Sequence, residues 1–399
     1  MARKRDQHRI ASNIFRVFRS VTIVLFLLFS FFSSNGCKVT TNKKNEYPIG
    51  IYAPGPSTNY SKLRDVGFTH VVSSANLPNL DAAHSAGLQV IASPGLQAKA
   101  ELDYKKIWNT VKKADKHPAL YAWYLIDEPD MSKTSPRHVL DLHKYLKAKA
   151  LKKPTALVMF KGYEAYDYAQ IPDIMMLDRY PVGWQPVETF NKHLRLARYA
   201  AGPQKPLFAV IQTFDWSYYP QVFDVKERET RPPSLEELRN MTWSSLALGA
   251  TGIFYYSYKD SRWSMEEHPQ EWANLQQVVS EIRLFEPLFS AEHAWWEKRI
   301  QYINPAQSFN AAFDPSILST KLLVKKANSH LPAGEYILCI NTTAQPIEFR
   351  ISLPGIYNGR VLSRSVPETV SYFSESRDGF IVEKLEPFQA RIYGPLRLY

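Results

Sequence analysis

The hydrophobic pattern of this chain changes rhythm twice. From about residue 49 to residue 257, short apolar runs alternate with stretches whose apolar positions recur at helical spacing. The runs predict strands at Ile49–Ala53, His70–Ser74, Gln89–Ser93, Leu120–Ile126, Thr155–Phe160, Asp173–Asp178, Leu207–Thr213 and Gly252–Ser257. Helices are predicted between and after them. Asn79–Ala86 stops at Gly87, and Tyr104–Lys116 carries Ile107, Val111 and Ala114 on one face. Pro136–Ala150 follows, and Ser234-Leu235-Glu236-Glu237 is a capping box opening a helix that ends at Gly249. Glu271–Phe285 repeats Trp272, Leu275, Val279 and Ile282. Strand–helix alternation implies parallel strands with right-handed crossovers. Eight units in about 210 residues predict a (β/α)8 barrel over 48–293. The other arrangement is an open doubly wound sheet. Against it, Ala53-Pro54-Gly55-Pro56 after the first strand offers two prolines where a phosphate loop needs N–H donors.

From about Ala294 the period becomes two. Tyr336–Ile340, Ile347–Leu353, Phe380–Val382 and Ala390–Tyr393 are short strand-like runs between turn residues. They predict an all-β sandwich over 294–399. Trp295 and Trp296 stand at its start, where they are expected to join it to the barrel.

The first 47 residues follow neither rhythm. Arg3, Lys4, Arg5, Arg9, Arg16 and Arg19 precede an apolar run, Val21–Phe32, too short for a bilayer span and right for an export signal. Residues 1–36 therefore read as a signal peptide. Ser33-Ser34-Asn35-Gly36-Cys37 resembles a bacterial lipoprotein cleavage site, with Ser34 where Leu is usual, and makes Cys37 the expected lipidation site. A cleaved soluble export signal and an uncleaved anchor are the other readings. All three place the folded part outside the cytoplasm, periplasmic or at the cell surface, and two of them tether it to a membrane. Residues 37–47 read as a polar tether.

The formal charge of +11 is partly an N-terminal effect. Residues 1–36 hold six Lys/Arg and one acid, which leaves 43 and 37, a charge of +6, beyond them. No basic cluster interleaves with aromatics, so nucleic acid is not an expected partner. The two cysteines, Cys37 and Cys339, show no zinc spacing, and no metal or organic cofactor is expected.

In a barrel the chemistry gathers where the strands end. Those ends bring Tyr52, Asp127, Glu128, Phe160, Lys161, Asp178, Tyr180, Gln212–Trp216 and Tyr255–Lys259 together. The set is rich in carboxylates, amides and flat rings. Sugars are held by such rings and cut by a carboxylic acid, usually with a second carboxylate. Glu128 is the expected general acid/base, with Asp178 and Asp127 as partners. Tyr52, Tyr180, Gln212, Asp215, Trp216, Tyr255 and Tyr256 are expected to contact substrate. Each has a plainer role available: Glu128 as a helix cap, Asp127 as an acceptor for backbone N–H groups, Asp178 as a partner of Arg179, Asp215 as a solvated loop acid, Gln212 as a satisfied buried amide. The rings could equally be packing.

Asp127-Glu128-Pro129 after the fourth strand resembles the Asn-Glu-Pro of clan A glycoside hydrolases, with Asp in place of Asn. The resemblance covers the barrel, about 49–290. It implies that Glu128 is the general acid/base and that the preceding residue bonds a sugar 2-hydroxyl. Tyr124-Leu125-Ile126-Asp127-Glu128-Pro129-Asp130 and Gly249–Ser257 are also similar to exported proteins grouped with beta-galactosidase-like barrels. The clan places a nucleophilic Glu at the end of strand seven, where this chain has Gln212. Four explanations are open. Asp178 or Asp215 supplies the second carboxylate. The substrate supplies its own nucleophile, since Asp127-Glu128 resembles the pair of N-acetylhexosaminidases. The strand register differs. Or the barrel binds glycans without cutting them.

Overall fold

The structure, a computed structural model, describes residues 46–398 apart from 54, 56–57, 96–101, 150–151, 222–229, 308–313 and 369. The signal peptide and Cys37 lie outside the described residues. All eight expected strands are present: β1 (Ile49–Tyr52), β2 (His70–Ser74), β3 (Gln89–Ser93), β4 (Leu120–Tyr124), β5 (Thr155–Met159), β6 (Ile174–Asp178), β7 (Leu207–Gln212) and β8 (Gly252–Tyr256). They form one closed barrel in chain order, every pair parallel, with β1 closing on β8. One principal helix follows each strand: α1 (Tyr60–Val66), α2 (Leu77–Ser85), α3 (Tyr104–Ala114), α4 (Pro136–Ala148), α5 (Ala165–Tyr168), α6 (Glu188–Ala201), α7 (Leu235–Ala247) and α8 (Pro269–Leu284). The predicted capping box opens α7, where Ser234 and Glu237 satisfy each other's backbone N–H groups and Arg231 pairs with Glu237.

The lumen is filled, not hollow. Phe208 and Phe254 stack with centroids 5.1 Å apart, and His70 meets Tyr121 at 4.6 Å. Gly50 makes room for this layer: a Cβ there would lie 2.1 Å from the Phe254 ring. β4 carries an extra residue, Tyr121, opposite the Val90/Ile91 step of β3. Such a bulge shifts the in–out alternation of a strand. Tyr121 lies in the lumen, Trp123 reaches outward to Asp115 of the α3 end, and Tyr124 faces the mouth.

Tyr47 is part of this body. It is buried and donates its hydroxyl to the Ala250 carbonyl, so the expected tether ends before it.

The C-terminal module is β9 (Glu292–Ala294), β10 (Ile300–Tyr302), β11 (Ile317–Val324), β12 (Gly334–Asn341), β13 (Ile347–Ile351), β14 (Gly359–Val366), β15 (Tyr372–Arg377), β16 (Phe380–Leu385) and β17 (Ala390–Tyr393). They form one antiparallel sheet in the order β10-β13-β16-β15-β14-β17-β12-β11-β9. β12 shows how it works. Leu338 and Ile340 join the barrel's core, while Ile337 and Cys339 join a second core with Phe349, Ile381 and Tyr393. The sheet therefore lays one face on the barrel and folds its other face over its own interior. Asn240 of α7 fastens the two by donating to the carbonyls of Asn341 and Phe388. The tryptophans differ from expectation: Trp295 is 86% exposed, and Trp296 packs on the module's own core.

Candidate active site at the barrel mouth

The motif after β4 has an unusual backbone. Leu125 and Ile126 are buried, Asp127 opens to water, and Glu128 sits at φ 38°, ψ 64°, the left-handed region. A non-glycine residue held there costs on the order of 1–3 kcal/mol and persists only if its surroundings fix it. Here they do. Pro129 opens a single helical turn, Pro129–Ser132, whose Met131 and Ser132 N–H groups donate to the Glu128 carbonyl at 3.0 Å. Asp130 accepts from the N–H groups of Phe160 (3.3 Å) and Lys161 (2.6 Å), tying the turn to the end of β5. This turn leaves the Glu128 carboxyl beside those of Asp127 and Asp178.

Opposite it, Asp178 at the end of β6 is 4% exposed. Tyr180 donates its hydroxyl to Asp178 Oδ2 at 3.2 Å. Asp178 Oδ1 is buried and meets no N–H or O–H of the protein. The Glu128 carboxyl lies close enough to Asp178 for each acid to act on the other. Burial is the main reason both hold protons tightly. It raises Glu128 to about 7, helped by the negative charge of Asp127. It raises Asp178 further, well above the carboxylate range, with the charges of Glu128 and Asp127 adding to it. Burial thus favours the neutral form most strongly at the deeper acid, Asp178.

Asp127 is the open carboxyl. Tyr124 donates to its Oδ1 at 2.5 Å, and the Tyr52 hydroxyl stands 3.4 Å from that of Tyr124. Asp127 is accessible to water yet ringed by protein, as a group on the floor of a recess is, and that burial raises it. Tyr256 lies over this group, its ring centroid 5.2 Å from Tyr52 and 5.7 Å from Tyr180. Asp260, from the loop after β8, accepts from Tyr256 (2.8 Å) and Tyr219 (2.5 Å) and fixes both rings. Arg179, next to Asp178 in the chain, spends its guanidinium elsewhere. Its guanidinium lies 4.4 Å from the Phe160 ring and 4.6 Å from the Trp184 ring, and it donates to Gln185. The mouth is thus acidic in a basic protein. Among the described residues, no three His, Cys, Asp or Glu side chains are arranged to hold a metal ion.

Glu128, Asp127, Asp178, Tyr52, Tyr180 and Tyr256 are therefore brought together. Four other expected residues take structural roles. Gln212 is fully buried; it accepts from Val182 N and donates to the carbonyls of Val182 and Phe214, so no substrate reaches it. Tyr255 points out of the barrel to Thr242 of α7, because neighbours on a strand face opposite ways. Asp215 caps a short 3-10 turn by accepting from Ser217 N. Trp216 is buried and donates to the Tyr180 carbonyl. Tyr124 and Asp260 were not foreseen. Tyr124's signal was its place three residues before Asp127; Asp260 offered none, because only the fold carries the loop back over the mouth.

No family model and no curated protein sequence matches this chain. Solved structures do. A glycoside hydrolase family 5 protein from Bacteroides vulgatus is 11% identical, with a TM-score of 0.58 over 87% of this chain and 89% of that one. A noncanonic maltogenic alpha-amylase from Thermotoga neapolitana is 9% identical, with a TM-score of 0.52 over 88% and 99%. A GH30 endoxylanase from Clostridium papyrosolvens is 12% identical, with a TM-score of 0.50 over 88% and 96%. In fold, this chain is a closed (β/α)8 barrel with an antiparallel β-module at its C-terminus, and it shares that overall fold with these structures.

Proposed function

We propose that this protein hydrolyses glycosidic bonds, with Glu128 as general acid. The observation that carries this reading is the contact between Glu128 and Asp178 at the mouth of the barrel. A general acid works best with a pKa near the working pH, and Glu128 is raised to about 7. Glu128, the less buried of the two, gives its proton to the leaving oxygen. Asp178 then donates to the new carboxylate and steadies it, as a buried neutral carboxylic acid can. Asp178 is thus a positioning residue and not the second catalytic carboxylate. Asp127, oriented by Tyr124, is the carboxylate that faces substrate. It orders either a water molecule or a substituent of the sugar for attack on the anomeric carbon. The half-buried rings of Tyr52 and Tyr256 supply the flat walls a pyranose packs on, with Tyr180 stacked behind Tyr256.

The test is hydrolysis of aryl glycosides and polysaccharides by the wild type and by Glu128→Gln. Activity should fall about a hundredfold or more in the variant. Equal activity in both would remove Glu128 from the mechanism. Glycan binding in both with hydrolysis in neither would make the barrel a binding protein, a reading that Gln212 favours because it leaves β7 without a nucleophile. The N-terminal segment supports export with a lipid tether at Cys37; loss of palmitate labelling in Cys37→Ser would bear on it, and unchanged labelling would sink it.

A further inference from the structure

Arg179 is a buried charge without an ionic partner. It is 7% exposed, and no carboxylate pairs with it among the described residues. Arginines are rarely buried without such a partner. The two acids that act on it are committed elsewhere. Asp130 accepts from the N–H groups of Phe160 and Lys161, and burial favours the neutral form of Asp178. Glu164, in the same loop as Lys161, pairs with it at 2.9 Å. The rings of Phe160 and Trp184 attract the guanidinium through its faces, but its N–H donors lie along its edge and need acceptors. Nη2 has one, Gln185 Oε1 at 2.6 Å. Nε has none and is sealed. Nη1 has none either, and it is open to water.

Two more donors stand beside it. His193 of α6 is close enough for the charge of Arg179 to help lower its pKa, after burial, to about 4. Its Nδ1 accepts from Gly162 N at 2.9 Å, which puts the ring proton on Nε2. That Nε2 meets no acceptor of the protein and is not sealed. Tyr163 packs its ring on His193, with centroids 5.7 Å apart, and lies near enough to act on Arg179. It is 57% exposed, and its hydroxyl makes no hydrogen bond within the protein. An arginine N–H, an imidazole N–H and a phenol O–H gathered beside spent acids suit an anion.

The position ties this group to the mouth. Arg179 follows Asp178, and the Phe160 ring that it meets lies 6.4 Å from the ring of Tyr180. An anion at Nη1 would sit one ring beyond the mouth wall. The mouth itself, with Asp127, Glu128 and Asp178 together, disfavours a negative charge. The charged unit and the unit at Glu128 are therefore different ones.

We propose that Arg179, His193 and Tyr163 form an anion subsite beside the mouth, and that the substrate is an acidic glycan whose carboxylate or sulfate lies on a unit neighbouring the one cleaved. This inference rests on the reading that the mouth cleaves glycosidic bonds.

The test is ligand-observed NMR titration of the whole protein with D-glucuronate, D-galacturonate and D-glucose 6-sulfate, and with neutral D-glucose and D-galactose. Wild type is compared with Arg179→Gln, Tyr163→Phe and Arg360→Gln, the last a charge-matched control at an exposed site on β14. The expected result is that at least one acidic sugar binds about tenfold tighter than its neutral counterpart, loses about tenfold in Arg179→Gln and about threefold in Tyr163→Phe, and keeps its affinity in Arg360→Gln. Tight binding of the uronates alone identifies a carboxylate, and of the sulfated sugar alone a sulfate ester. Tyr163 is exposed and loses only a hydroxyl, so its variant decides the matter should Arg179→Gln fold poorly. Acidic sugars that bind no tighter than neutral ones, no binding of any sugar, or equal weakening in Arg179→Gln and Arg360→Gln overturns the proposal. The readout is binding, so unchanged hydrolysis in Glu128→Gln would count against the mouth and leave this result standing.

Discussion

The ends of β4 and β7 are both buried strand termini in one barrel, and they treat polar groups in opposite ways. At β7, Gln212 spends its amide on three backbone bonds and closes off completely. At β4, Glu128 is held in a left-handed backbone, its carboxyl meets another acid, and Asp127 has a single tyrosine for company. The first arrangement is what stability alone selects: every buried donor has a partner. The second carries strain and clustered acids, which are tolerated where something other than stability is being served.

That contrast can be broken most sharply by exchanging chemistry between the two ends. Gln212→Glu introduces a carboxylate at the strand-seven position where clan A enzymes carry one. Here it would face the carbonyls of Val182 and Phe214 with both N–H donors lost. The expected outcome is a loss of roughly 3 kcal/mol in chemical denaturation and no gain in activity. A gain in hydrolysis would mean that β7 is a dormant catalytic position rather than a structural one.

Asp178 separates a donor role from a nucleophilic one. If it acts by donating to Glu128, Asp178→Asn keeps an N–H donor and most of the activity, while Asp178→Ala loses about tenfold. Steady-state kinetics on an aryl glycoside would show the split. Near-complete inactivation by Asn would make Asp178 the second catalytic carboxylate after all.

The pH profile sharpens the comparison further. A general acid must be protonated, so kcat/KM should fall as pH rises through about 7, the value at which Glu128 ionises. The Asp127 charge is one cause of that raised value, so Asp127→Asn should move this limb toward lower pH. Stability follows the same group. The folded pKa of Glu128 lies above its unfolded value of 4.5, so its contribution is full below 4.5 and is lost as pH rises through about 7. Urea titrations should show stability declining across that window, by on the order of 3 kcal/mol, and Glu128→Gln should flatten the decline. A wild-type profile as flat as the variant's would refute the burial argument.

How much of this was legible in the chain depends on the range of the signal. The strands were legible because a parallel strand buried on both faces must be apolar throughout, and a one-residue error at its end changes little. The pairing of Asp127 and Glu128 at a strand end was legible for the same reason. Which side of the barrel wall a ring occupies was not. The bulge at Tyr121 resets the alternation of β4, and nothing in Leu120–Tyr124 announces it. Of the two roles open to Gln212, the satisfied buried amide could not be chosen from the chain, because two of its three bonds go to Val182, thirty residues away in sequence. β11 was missed for a related reason. Ile-Leu-Ser-Thr-Lys-Leu-Leu-Val serves two cores at once, Ile317 to the module and Leu318, Leu322 and Val324 to the barrel, which erases a clean period of two.

The smallest test lies within one dipeptide. Tyr255 and Tyr256 are neighbours on β8, both hydroxyls are hydrogen-bonded, and they face opposite sides of the barrel wall. Tyr255→Phe removes a bond to Thr242 in the layer between barrel and α7, and should cost about 1 kcal/mol of stability with kinetics unchanged. Tyr256→Phe removes a bond to Asp260, a carboxylate it shares with Tyr219, and frees a ring that walls the mouth. It should raise KM severalfold and leave the denaturation midpoint close to that of the wild type. The two variants delete the same atom one residue apart, so propensity and composition cancel between them. A difference in where the loss appears can come only from which side of the wall each hydroxyl occupies. If both variants change stability alone, the aromatic group above Asp127 is packing, and the substrate must be held elsewhere.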